Sequence, residues 1–293
     1  MAGGIDTRMT YANPTALVST DWLAAHLDAP DVRVVDASWY LPAMNRDAKA
    51  EYANAHIPGA VYFDIDEIAD TKSPYPHTLP SPEKFSSRVR RLGLGDGNRI
   101  VVYDGAGIFS APRVWWMFRR FGHGDVAVLD GGFPKWLKEG RPTEALPPMP
   151  QERHFTPRVD HTMARDLPRM RRIVAESRRQ IADARSFDRF TGEAKEPRPG
   201  LPSGHIPGSL SLPFQKLQDA ESGTMLPADG LRAAFEDAGI DLAQPVVATC
   251  GSGVSACTLA LGLHLLGHRD VAVYDGSWSE WAAQPDAPVA TGP

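Results

Sequence analysis

Short β-branched runs alternate along this chain with stretches whose apolar residues recur every three or four positions. "RVVDAS", "RIVVYD" and "VAVLD" in the first half, and "PVVATC" and "VAVYD" in the second, have strand length and no polar alternation. Strands apolar on both faces belong in parallel sheets covered on both sides. Between them, "PEKFSSRVRRLGL" and "DGLRAAFEDAGI" show helical spacing with a glycine near the end, which acts as a helix stop. "SACTLALGLHLLG" reads as another helix, closed by Gly267. Strand–helix alternation of this kind predicts an α/β fold.

The pattern occurs twice. "AHIPGAVYFD" is answered by "GHIPGSLSLP", and "VAVLDGGFPKW" by "VAVYDGSWSEW". Asp36 pairs with Asp183 at an offset of 147, His56 with His205 at 149, and Val101 with Val246 at 145. Offsets this steady indicate a duplicated unit. The expected organisation is two tandem domains, residues 15–145 and 166–290, each a parallel sheet flanked by helices. A proline-rich linker at 146–165 joins them.

Composition narrows the function. A chain of 293 residues with 42% hydrophobic content suits two ordinary cores, and a net charge of −5 leaves no footprint for nucleic acid. The basic run "RDLPRMRRIVAESRRQI" reads as one solvated helix face. No run is long enough to span a membrane, and the N-terminal stretch lacks signal-peptide features, so a reducing cytoplasm is the expected compartment. Two cysteines, Cys250 and Cys257, make neither a disulfide framework nor a metal-binding spacing.

"PVVATC" delivers Cys250 to the carboxyl end of its sheet, where open α/β folds place ligands. "GSGVSA" then turns into the following helix, so successive N–H groups can curve around whatever the sulfur carries. An unperturbed thiol has a pKa of about 8.5, and such a nest favours its anion. Cys257 lies within the helix and reads as core. At the 145 offset the first copy carries Gly105 instead of Cys250, so only one half carries the nucleophile. His56 and His205 precede "IPG" in both copies and therefore read as structural, while Trp115, Trp116 and Trp136 read as packing.

Tandem α/β units, a "HIPG" in each and "CGSGVSA" only in the second resemble the rhodanese superfamily of sulfurtransferases. Ser255 stands where the family loop usually has threonine. The resemblance implies sulfur transfer through a Cys250 persulfide, cradled by Gly251, Gly253, Val254 and Ser255. It also implies a proton relay of Ser252, His77 ("SPYPHTLP") and Asp66 ("YFDIDEIAD"), although Pro76 replaces the family's acidic residue before the histidine. Arg189 and Arg198, in a polar loop, would bind the donor carboxylate.

Thiosulfate-specific members carry basic residues after the cysteine. Gly251 and Ser252 depart from that, which implies 3-mercaptopyruvate as donor, with thiosulfate the alternative. The acceptor would be a thiol, such as thioredoxin, or cyanide; no cofactor and no metal are expected. A Cys-x5-Arg phosphatase is disfavoured because Ala256 occupies the arginine position. A non-catalytic persulfide carrier is the remaining alternative.

Overall fold

The computed structural model describes residues 11–177 and 179–293. The first half holds β1 (Leu17–Val18), α1 (Thr20–His26), β2 (Val32–Asp36), α2 (Ala48–Asn54), β3 (Val61–Tyr62), α3 (Pro82–Arg91), β4 (Arg99–Tyr103), α4 (Ala111–Arg120), β5 (Val126–Leu129) and α5 (Gly132–Lys138). The second holds β6 (Ala164–Arg165), α6 (Leu167–Glu176), β7 (Gln180–Asp183), α7 (Phe187–Thr191), β8 (Ser209–Ser211), α8 (Ala228–Asp237), β9 (Val246–Thr249), α9 (Ala256–Leu265), β10 (Val271–Tyr274) and α10 (Ser277–Trp281). Each half forms one wholly parallel sheet. The order β1-β5-β4-β2-β3 is repeated as β6-β10-β9-β7-β8.

The strands end where the sequence loses its apolar run. Ile100, Val101 and Val102 are fully buried, as are Val246, Val247 and Ala248, because helices cover both faces. Local signals set the helices. Ser81 caps α3 by accepting from Lys84 N, Pro82 pre-sets its first turn, and Phe85 and Val89 face inward. In α6 Met170 is buried while Arg169, Arg171 and Arg172 face solvent, as expected of the basic run. Helix α9 is mostly apolar and buried along its length except at His264. It packs on α4, so one hydrophobic cluster runs from Val102 and Val114 through to Leu259 and Leu261. The halves share a core.

Two features depart from the sequence expectation. The stretch between the halves is strapped to the first one: Arg158 N and Asp160 N donate to Phe121 O and Arg120 O, and Phe155 is 2% exposed against Phe85. The second sheet also begins inside the expected linker, since Ala164 and Arg165 pair with Val273 and Tyr274. A two-residue edge strand is held by backbone bonds and needs no apolar run to announce it.

Candidate active site

Cys250 immediately follows β9, and its loop is held from below. Its N–H donates to Ser277 Oγ at 3.2 Å, and its carbonyl accepts from Trp278 N at 2.9 Å. The Gly251 carbonyl accepts from Ser279 N at 3.0 Å and Ser279 Oγ at 2.6 Å. Gly253 has φ +79, and a Cβ there would lie 2.6 Å from the Asp275 carbonyl, so only glycine fits this bend. Among the described residues, the N–H groups of Gly251, Val254 and Ser255 have no protein acceptor.

The first half shows what such a loop holds. At the 145 offset these positions are Ala106, Phe109 and Ser110, and their N–H groups donate to the Asp104 carboxylate at 2.9, 2.8 and 2.9 Å. Ala111 N adds a fourth bond at 2.8 Å. Thr249 replaces Asp104 in the second half, leaving its nest without an internal anion. The Asp104 carboxylate shows that a loop of this shape holds an anion.

The three residues that the resemblance assigns to a relay lie together across the interface. His77 Nδ1 lies 2.8 Å from Ser252 Oγ, and His77 Nε2 lies 2.9 Å from Asp66 Oδ1. Trp39 Nε1 donates to Asp66 Oδ2 at 3.1 Å, and the Trp39 ring meets the His77 ring edge-on. His77 is 4% exposed, and burial holds its pKa below the ordinary imidazole value, with Asp66 opposing and Arg198 and Arg113 reinforcing the shift. The bond from His77 holds the Asp66 carboxyl below its usual range. Neutral His77 therefore donates Nε2–H to Asp66 and accepts the Ser252 hydroxyl proton at Nδ1.

Both arginines reach the nucleophile loop, by a route the sequence did not show. Arg189 sits on α7 rather than in a polar loop, because Phe190 and Thr191 beside it are buried and anchor a helical turn. Its Nη2 pairs with Glu196 Oε2 at 2.6 Å; Glu196 Oε1 in turn takes Arg185 at 2.8 Å, and Arg185 pairs with Asp183. A Cβ on Gly251 would lie 3.1 Å from Arg189 Nη2 and 3.5 Å from Arg198 Nη1. Among the described residues no carboxylate is within ion-pair distance of Arg198, and burial holds its pKa below the ordinary guanidinium value. Cys250 itself is 2% exposed and belongs to the hydrophobic cluster shared by the two halves.

The remaining candidates fall as expected. Cys257 is fully buried, its Sγ donates to the Gly253 carbonyl, and burial pushes its thiol up to about 12. His56 and His205 each donate Nδ1–H to a carbonyl, of Tyr52 and Phe190, and each stacks on that residue's ring.

Sequence reasoning missed a cross-domain exchange. Leu79 N donates to Asp275 Oδ2 at 2.7 Å, and at the counterpart position Met225 N donates to Asp130 Oδ1 at 2.8 Å. Each half thus lends a loop to the other. In that correspondence His77, with φ +61, answers Gly223, with φ +69. The faint echo of "HTLP" in "GTMLP" was the available signal. It also missed Arg113, fully buried at the interface against Asp275.

A model of the rhodanese-like domain matches residues 19–139 and again 168–284. Thiosulfate/3-mercaptopyruvate sulfurtransferase 1, mitochondrial, of Arabidopsis thaliana is 44% identical, covering 98% of this chain and 82% of that one. Thiosulfate sulfurtransferase of Cricetulus griseus is 46% identical over 94% of this chain and 96% of its own. Among solved structures, the 3-mercaptopyruvate sulfotransferase SseA of Escherichia coli superposes with a TM-score of 0.82 at 38% identity, covering 90% of this chain and 98% of that one.

Proposed function

The chain belongs to the rhodanese family, and on that premise we propose that it is a sulfurtransferase moving sulfur from 3-mercaptopyruvate to a thiol or cyanide through a Cys250 persulfide. In this reading 166–290 is the catalytic half, and 15–145 supplies its histidine and carboxylate. The observation that carries the choice of donor is the Ser252–His77–Asp66 chain ending at the nucleophile loop. Mercaptopyruvate needs a proton moved; thiosulfate does not.

The chemistry balances as follows. The Cys250 thiolate attacks the donor sulfur, an S–S bond forms, and the C–S bond breaks with its electron pair passing to carbon. The leaving group is the enolate of pyruvate, and the proton of the donor thiol ends on its methyl carbon. In this reading Ser252 Oγ takes that proton while passing its own to His77, whose imidazolium Asp66 stabilises, and then returns it. The persulfide anion takes the loop N–H groups as donors. A thiol or cyanide then attacks the outer sulfur and regenerates the Cys250 thiolate. Dividing the transfer into two displacements lowers each barrier.

Arg189 and Arg198 suit the donor carboxylate, because a planar guanidinium fork binds it at two points. Replacing either with alanine is expected to raise KM for mercaptopyruvate about 10- to 100-fold, the value of one charge-assisted contact, with kcat less affected. Steady-state kinetics check this, and unchanged KM in both variants would remove them from the site. Thiosulfate is the second reading, favoured by the Cricetulus griseus relative. Comparing kcat/KM for the two donors on purified protein tests the assignment; a tenfold preference for thiosulfate overturns it.

The relay also sets a pH dependence. Because burial lowers the His77 pKa, the neutral, proton-accepting form persists as pH falls and is lost only below the ordinary imidazole range. The acid limb of kcat with mercaptopyruvate is therefore expected below pH 6.5, the unperturbed value. Asp66→Asn removes a group that raises the His77 pKa, so the limb moves to still lower pH while the plateau drops. A limb that moves upward would contradict this.

For the compartment we propose the cytoplasm. Both cysteines are free, and no helix among the described residues is long and apolar enough to cross a membrane. The Arabidopsis relative is mitochondrial by name.

A further inference from the structure

Arg113 projects from the first turn of α4 and is 0% exposed. Its Nη2 donates to the His77 carbonyl at 2.5 Å and to Asp275 Oδ1 at 2.8 Å, and its Nη1 donates to the Gly253 carbonyl at 3.3 Å. The guanidinium lies 4.8 Å over the Trp116 ring. The three acceptors belong to three segments: the strand of chain carrying His77, the nucleophile loop and the turn after β10. Asp275 completes the grip by taking Leu79 N, two residues beyond His77.

A buried guanidinium is costly unless fully paired, so its presence calls for a reason. Holding the halves together does not supply one. On the opposite side of the interface Asp130 takes Met225 N with the same geometry, yet Thr258 stands at the counterpart of Arg113 and Gly223 at that of His77. The arginine occurs where the histidine occurs. His77 also holds φ +61, a left-handed conformation that a non-glycine residue keeps only when its surroundings impose it.

We infer that Arg113 is a positioning residue for the proton relay: by gripping the His77 carbonyl it keeps that residue left-handed and its Nδ1 on the Ser252 hydroxyl. Arg113 does not reach substrate; it acts through His77, and the inference rests on the relay reading above. Its shortest bond goes to the His77 carbonyl and its longest to Gly253, so loosening it disturbs the relay more than the cradle.

The test measures both donors with Arg113→Lys, Arg113→Met, His77→Gly and the Arg113→Lys/His77→Gly double variant, with folding followed by near-ultraviolet circular dichroism. Lysine keeps a cation beside Asp275 but cannot reach all three acceptors. With Arg113→Lys, kcat for mercaptopyruvate is expected to fall about 30-fold, the scale of a misplaced proton-transfer group. KM should change less than about twofold, and thiosulfate turnover should fall only about threefold, well short of the relay's share. In the His77→Gly background the same substitution should add little, since its target is gone. Equal losses with both donors, additive losses in the double variant, or failure of both single arginine variants to fold would each overturn the inference. If His77→Gly is selective for mercaptopyruvate and Arg113→Lys is not, Arg113 alone is misassigned. If His77→Gly is not selective, the relay reading falls as well.

Discussion

Replacing Cys250 with serine is expected to stop sulfur transfer from either donor, lowering kcat by on the order of 10^4-fold or more. The hydroxyl keeps the size of the side chain and its place under the loop, but it cannot form or release a labile bond to sulfur. The loop should survive, because its supports are main-chain bonds to Trp278 and Ser279 and the Ser277 hydroxyl. Intact-mass measurement gives a direct reading. Wild-type protein incubated with donor should gain one sulfur atom, about 32 Da, which cyanide or a thiol removes. Cys250→Ser should gain nothing. Cys257 offers no substitute, since burial pushes its thiol up to about 12. Sulfur uptake by the serine variant would mean another nucleophile, and uptake by the wild type without rapid turnover would favour a carrier.

The second large effect is expected from His77. Its removal should lower kcat with mercaptopyruvate by about 10^2- to 10^3-fold, the usual contribution of a positioned acid–base group. Thiosulfate turnover should fall far less, because sulfite leaves without a proton. Choice of replacement matters here. Alanine at a left-handed position adds backbone strain to the loss of the ring, whereas Gly223 shows that glycine holds the same turn in the other half. His77→Gly therefore isolates the chemistry, and comparison with His77→Ala separates it from strain. Equal losses with both donors would reduce His77 to a spacer.

Much of this was legible in the sequence. Valine-rich strands, helices closed by glycine and the repeated "HIPG" are local patterns, and local patterns survive in a string of letters. The cysteine at the strand end was visible for the same reason, since apolar run, thiol and glycine turn are contiguous. What escaped depends on separation. Arg113 lies 162 residues from Asp275, and nothing in "SAPRVWW" distinguishes a buried clamp from a solvated helix start. Glu196 looked like one more charge in a polar stretch, yet it is buried and holds Arg189 and Arg185 together. The loop exchange was hidden because the His77 segment and its counterpart differ in length and share only a few letters. Periodicity reports which face is covered, not which distant carbonyl a cation meets.

The carboxylate of Asp104, tied to four backbone amides, sets the first loop apart from the second. Placing a cysteine at position 105 would not create a second working centre. The new side chain would collide with the Tyr40 hydroxyl, and the neighbouring negative charge would keep a thiol there protonated. The donors that could steady a sulfur anion are already spoken for by a residue of the chain itself. The first loop thus differs from the nucleophile loop at more than the one position opposite Cys250, because Asp104 and Tyr40 also shape it.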